Sequence, residues 1–265
     1  MTTRGRLVSR LLALLIAVVG SVGLSALPAT AGDTPTVPYV ALGDSYAAGQ
    51  GGGEYLNDCK QTLAGYPELL DSRKHIYLRA NASCSGATTS DVIDTQVSAL
   101  NERTRLVTLT VGANDLGVAD VAAKCTADPT STNCQLAIAN AQSQLVLLAG
   151  SLSNVYTAVA AAAPRARILV TGYPYLFETH TPCLPTEAIL CQINNATAAL
   201  NQTIAGTVAA MPKRVNITYV DVTRAFAGHG IFSPDPFINA TGDDAYHPNV
   251  KGYEAYAAKI STALH

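Results

Sequence analysis

Ser45 lies in Gly43-Asp44-Ser45-Tyr46, directly after the apolar run Val37–Leu42, and His247 lies near the other end of the chain in Asp244-Ala245-Tyr246-His247-Pro248. A serine hydroxyl attacks a carbonyl carbon only when a positioned base takes its proton, and that base needs a partner to orient its ring. Asp244 precedes His247 by three positions, one helical turn or a compact loop. Its carboxylate can therefore reach one ring nitrogen while the other faces Ser45. That chemistry is acyl transfer through a covalent serine intermediate. The same residues also fit a surface Asp-His pair and a serine that merely caps a helix.

Two further segments could receive the negative charge that such an attack creates. Gly86, in Cys84-Ser85-Gly86-Ala87, offers an unobstructed backbone N–H, and Asn114, in Gly112-Ala113-Asn114-Asp115, offers a side-chain amide. Each donor lost from an oxyanion hole typically costs about 2.7–4 kcal/mol of barrier. Taken singly, Gly86 is also an ordinary turn glycine and Asn114 an ordinary loop asparagine bonding its own backbone. Small residues around Ser45 (Gly43, Ala47, Ala48, Gly49) permit a tight strand-to-helix turn, where backbone N–H groups favour developing negative charge. It is not a Gly-x-Ser-x-Gly elbow, because position 47 is alanine and the motif follows the first strand.

The elements that must position these groups show as alternating patterns. Five apolar, β-branched-rich runs (37–42, 76–80, 106–111, 168–171 and 217–222) predict strands. Helical spacing falls between and after them, over 66–70, 90–100, 135–163, 191–211 and 252–264. Pro164 and Pro212 mark helix stops, and Thr89-Ser90-Asp91 a helix start. Strand–helix alternation argues for right-handed crossovers and a parallel sheet covered on both faces. In such a sheet, functional groups collect beyond the carboxyl ends of the strands. Ser45, Gly86 and Asn114 follow the first, second and third runs, so all three are expected on one rim.

The chain has 265 residues, 48% hydrophobic and 14% charged, enough for one full core. Arg4, Arg6 and Arg10, the apolar stretch 11–23 and Ala29-Thr30-Ala31 predict a signal peptide over residues 1–31, leaving a single domain over 32–265. Losing that leader takes the formal charge from −2 to −5, with 14 basic residues against 19 acidic ones. No basic patch remains for nucleic acid and no polybasic run for anionic lipid. The six cysteines fit export. Of the 15 possible pairings, local closure favours Cys59–Cys84, Cys125–Cys134 and Cys183–Cys191, each stabilising by roughly 2–4 kcal/mol. No Cys-x-x-Cys or Cys/His cluster stands at ligand spacing, so no metal is expected.

Together, Gly43-Asp44-Ser45-Tyr46, Gly86, Gly112-x-Asn114-Asp115 and Asp244-x-x-His247-Pro248 resemble the four signature blocks of the SGNH, or GDSL, hydrolases. The resemblance covers nearly all of the mature chain and is strongest to secreted actinobacterial lipases and esterases. It implies an α/β fold: a three-layer α/β/α sandwich with a central five-stranded parallel sheet, flavodoxin-like, carrying three disulfides. It implies Ser45 as nucleophile, His247 as general base and Asp244 as the group orienting the imidazole. The oxyanion hole would be the Ser45 and Gly86 N–H groups and the Asn114 side chain, with Asp44 and Asp115 as structural supports. The expected activity is that of a secreted, extracellular carboxylic-ester hydrolase without metal or organic cofactor. It would act as a monomer on a small-molecule or lipid ester, in transient contact with a lipid interface. A carbohydrate O-acetyl esterase is the enzyme alternative, and a non-catalytic flavodoxin-like binding module the other.

Two departures from the family pattern stand out. Tyr46 replaces the leucine of the family name. Cys191 follows Cys183 closely, where the resemblance would place that partner nearer the histidine. The segment 225–240 therefore reads as an untethered loop, in which Phe226, Ile231, Phe232 and Phe237 supply either an apolar wall for an acyl chain or plain core packing.

Overall fold

A parallel strand buried on both faces must be apolar along its length, and the five runs obey that rule. A computed structural model describes residues 36–73, 75–128 and 130–264; the leader expected over 1–31 lies outside them. The strands are β1 (Val37–Gly43), β2 (Ile76–Asn81), β3 (Leu106–Thr110), β4 (Arg167–Thr171) and β5 (Ile217–Val220). They pair in parallel in the order β2-β1-β3-β4-β5, with Ala41 opposite Thr108 and Leu109 opposite Val170. The helices are α1 (Ser45–Ala48), α2 (Tyr66–Asp71), α3 (Thr89–Asp91), α4 (Val118–Ala127), α5 (Thr132–Ala162), α6 (Ala188–Ala210) and α7 (Val250–Thr262). α2 packs with α7, while α5 packs with α3 and α6. Helices on both sides of one sheet make the three-layer α/β/α sandwich. The direction of strand addition reverses between β1 and β3, the switch point at which such sheets open a crevice.

Every residue of β3 is buried, including Thr108 and Thr110. Their hydroxyls are satisfied by tyrosines from the neighbouring strand β1 and from α2. Tyr39 meets Thr108 at 2.6 Å, and Tyr66, Thr110, Thr171 and Tyr256 form a chain with steps of 2.8, 2.6 and 3.0 Å. Tyr256 donates its one proton to Gly172 O. Each hydroxyl in turn must therefore accept from the one before it, which directs the chain from Tyr66 to Gly172. This ladder locks α2 and α7 onto the C-terminal half of the sheet.

Three local differences from expectation have physical causes. The helix expected over 90–100 is a short α-turn, a wide π-turn over Val92–Gln96 and a 3₁₀ turn over Val97–Ala99. The break accompanies an inward Gln96, whose Oε1 accepts the Gly43 N–H (2.7 Å) while Nε2 donates to Gly43 O (2.9 Å). Helix α4 was not expected, because much of its length is exposed; it starts at Gly117 in the left-handed conformation (φ 70°). Cys125–Cys134 joins it to α5, where Ser131 Oγ caps by accepting the Cys134 N–H. Finally, the segment 225–240 is not untethered. Ile231 bridges to Phe177 and Ile238 to Pro248, and Phe226 and Ile231 are buried. Phe237 is half-buried against Phe226, so of the four apolar residues only Phe232 is open, at 72% exposure. Core packing tethers the loop where a cysteine was looked for.

Candidate active site

The turn after β1 is built on a close approach. Gly43 (φ 129°) runs so near β3 that an added Cβ would lie 2.1 Å from Thr110 O, and the next N–H, of Asp44, bonds that same oxygen at 2.8 Å. Asp44 then caps the single turn α1: Oδ1 accepts the Tyr46 N–H at 3.0 Å and Oδ2 accepts the Tyr173 hydroxyl. Burial pushes the Asp44 carboxyl up to about 7, against the pull of the Tyr173 hydroxyl and the Tyr46 and Ala47 amides. With Asp44 as cap, Ser45 is the first helical residue and its hydroxyl is released from capping duty.

That hydroxyl lies 2.8 Å from His247 Nε2. On the other side of the ring, Nδ1 lies 3.1 Å from Ala245 O. A carbonyl only accepts, so this partner places the ring proton on Nδ1 and leaves the Nε2 lone pair for the Ser45 O–H. Burial pushes the His247 pKa down, opposed by the Ala245 carbonyl and the charge of Asp244. A neutral imidazole aimed at a serine hydroxyl is the arrangement a general base requires.

The orienting role expected of Asp244 is corrected by this geometry. Its carboxylate accepts from the Tyr55 hydroxyl and, at 3.3 Å, from Gln50 Nε2, while Ala245 O takes Nδ1. The three-residue spacing allowed a compact loop or a helical turn. Tyr246, at φ 69°, breaks that turn, and the carbonyl two residues back becomes the acceptor that the imidazole meets. Asp244 acts on His247 through its field and through its backbone carbonyl, which accepts the His247 N–H at 3.1 Å.

Gly86 holds φ 82°, and an added Cβ would meet nothing within 4 Å, so glycine is required there by backbone conformation rather than by space. The loop is fastened around it: Cys59–Cys84 anchors one end, Cys84 N–H bonds Gly43 O at 3.0 Å, and Ser85 N–H bonds Cys59 O at 3.1 Å. Asn114 Nδ2 donates one hydrogen to Ala87 O at 3.0 Å, which leaves its second hydrogen to point elsewhere. Asp115 accepts from the Thr89 N–H (3.0 Å) and hydroxyl, tying the third loop to the second. Among the described residues, the Ser45 and Gly86 N–H groups have no acceptor. Ser45, Gly86 and Asn114 thus stand at the ends of three adjacent strands, on loops stitched to one another, with donor capacity to spare.

Several residues of this assembly carried no motif. Gln96 clamps Gly43, and Asn201 makes the same two-bond clamp on Tyr173, with both distances 2.8 Å. Gln50 joins Ser85 to the histidine loop. The available signals were a buried-register amide one turn after Val92, and a lone long side chain in Gly49-Gln50-Gly51-Gly52-Gly53. A depression of about 300 Å³, lined by Ser85, Gly86, Asp91 and Thr95 among others, flanks the donor loop. A groove of about 600 Å³ between α5 and α6 is lined by neither Ser45 nor His247. Among the described residues, the one grouping at metal-ligand spacing is Cys183, Glu187 and Cys191, whose sulfurs are joined as a disulfide and offer no thiolate.

The model of the GDSL-like lipase/acylhydrolase family matches residues 41–255. Lipase 1 of Streptomyces coelicolor is 33% identical over 258 residues, spanning 94% of each chain. Among solved structures, an extracellular lipase from Streptomyces rimosus superposes with TM-score 0.78 at 33% identity, over 86% of this chain and 100% of that one. A phospholipase A1 from Streptomyces albidoflavus superposes with TM-score 0.77 at 36% identity, over 86% and 99%.

Proposed function

Because the chain belongs to the GDSL-like lipase/acylhydrolase family and is a carboxylic-ester hydrolase, we propose that Ser45 and His247 carry its reaction as a dyad braced by a backbone carbonyl. The observation that carries this reading is the pair of contacts on one imidazole: Ser45 Oγ at 2.8 Å on Nε2 and Ala245 O at 3.1 Å on Nδ1. Ser45 passes its proton to Nε2 as the oxygen bonds the ester carbonyl carbon. The carbonyl oxygen becomes an oxyanion, which the Ser45 and Gly86 N–H groups and the second Asn114 hydrogen are placed to bond. The imidazolium, its Nδ1–H held by Ala245 O, then gives its proton to the departing alcohol, leaving an acyl-serine. Water repeats the sequence and releases the acid. No step calls for a metal or an organic cofactor.

Lipid acyl esters are the substrate class this reading favours, because the relatives that match along nearly their whole length carry the names lipase and phospholipase A1. The three disulfides and the leader-like residues 1–31 support export to an oxidising compartment. A monomer touching a lipid surface only transiently accords with the absence of a basic patch.

A panel of p-nitrophenyl esters from short to long chain, with phosphatidylcholine and acetylated xylan alongside, tests the substrate. Turnover of xylan acetate with none of a medium-chain ester would move the class to sugar acetates. A fluorophosphonate probe tests the nucleophile. Ser45→Ala is expected to fold, to take no label and to lose turnover by more than about 10³-fold. Failure of the native protein to label would leave only a binding module.

A further inference from the structure

Gln50 is only 4% exposed, and it is the one long side chain in a run of glycines. Its Oε1 accepts from the Ser85 hydroxyl at 2.6 Å. Its Nε2 donates to Asp243 O at 3.2 Å and to Asp244 Oδ1 at 3.3 Å. Chemistry fixes the orientation of this amide. A carbonyl and an ionised carboxylate only accept, so nitrogen must face them and oxygen is left for the Ser85 hydroxyl. The Gln50 backbone is held as well, because its carbonyl accepts from the buried Tyr253 hydroxyl of α7 at 2.7 Å.

One side chain therefore bonds the residue before Gly86 and two residues of the turn that presents His247. Among the described residues, no other side chain hydrogen-bonds both loops. Cys59–Cys84 anchors the donor loop from one side, and Tyr55 ties Asp244 from the other. Gln50 spans the two across the turn that carries Ser45.

We propose that Gln50 is a positioning residue, holding the Gly86 donor loop and the His247 loop at a fixed separation so that oxyanion donor and base stay in register with the Ser45 hydroxyl. The proposal rests on the dyad reading above. Gln50 touches no reacting atom, so its contribution lies in geometry, where a misplacement of 1 Å can cost up to about 10²-fold in rate. It also gives Asp244 a purpose other than bonding the imidazole: its carboxylate is the anchor for this strut and for Tyr55.

The test is a double-mutant cycle read with a soluble short-chain p-nitrophenyl ester. Gln50→Met keeps length and bulk but removes both polar ends, and Ser85→Ala removes only the partner hydroxyl. We expect kcat to fall about tenfold for Gln50→Met, with KM within about twofold, and about threefold for Ser85→Ala. The double variant should be no slower than Gln50→Met alone, since both changes cut the same link. Losses that multiply, or an unchanged kcat in Gln50→Met, would overturn the proposal. Should Gln50→Met fail to fold, Ser85→Ala is compared with Ser85→Thr, which restores the hydroxyl: kcat should fall about threefold in the first and recover in the second, and an unchanged kcat in Ser85→Ala would overturn the proposal equally. Ser45→Ala is the control. If it is inactive while the Gln50 losses multiply, this inference alone fails; if it is active, the dyad reading fails beneath it.

Discussion

The imidazole of His247 has a carbonyl where a carboxylate was expected, and this sets its pH behaviour. A neutral acceptor orients the ring but stabilises the imidazolium less than a full charge at contact distance would. The charge of Asp244 still raises the His247 pKa from nearby, while burial, the larger effect, lowers it. Asp244→Asn removes the raising influence, and the base works only when unprotonated. The acid limb of kcat/KM should therefore move to lower pH, with a kcat loss of less than about tenfold, far below that of Ser45→Ala. Asp44 predicts a second titration. Its folded pKa of about 7 lies above the ordinary aspartate value of 3.8, so the native state keeps a proton that the unfolded chain releases. Its contribution to stability is greatest at and below about pH 4 and declines as pH rises towards about 7. Thermal melts of Asp44→Asn across that window should show a flatter slope than the parent. Ser45 and His247 were legible from their short motifs, because the groups that do the chemistry are few and local in sequence. The destination of the Asp244 carboxylate was not, because it turns on a left-handed Tyr246 that spacing cannot show.

The strands were legible because burial on both faces demands an unbroken apolar run, and each observed strand starts or ends within two residues of the expected one. Helix α4 and the wide turn over Val92–Gln96 were not. The first is short and exposed along much of its length, and the second answers to a hydrogen-bond clamp on Gly43, 53 positions away. The clamps made by Gln96 and Asn201 have the same logic. Where a strand runs out, pairing no longer meets the hydrogen-bonding needs of its backbone in full. A primary amide bonds the N–H and C=O of one residue at once, at Gly43 sharing the carbonyl oxygen with the Cys84 N–H. Cys59–Cys84 does a comparable task for the Gly86 loop. Its 25-residue separation predicts a stability loss of about 3 kcal/mol for Cys59→Ala/Cys84→Ala. Because the same bridge holds the loop of Gly86, the proposed oxyanion donor, kcat measured well below the new melting point should also fall, with KM little changed. A variant that loses stability yet keeps full kcat would show that the bridge positions nothing.

Across the whole molecule, charge bears on which surfaces the protein meets. After the expected leader the formal charge is −5, with no basic stripe to offset it. Anionic vesicles should therefore be attacked slowly at about 0.01 M salt and faster at about 0.15 M, where the screening length shrinks from about 30 Å to about 8 Å. Zwitterionic vesicles and a soluble ester should show little such change. Equal salt response on all three would show that net charge has no part in access. The strand order β2-β1-β3-β4-β5 has a different consequence. Ser45 follows the inner strand β1, yet the imidazole it meets lies 202 positions further on and arrives with the turn before α7. A nascent polypeptide leaving the ribosome therefore carries the serine for some two hundred further residues before the proposed base exists. Ester hydrolysis by the proposed dyad must wait until translation has passed His247.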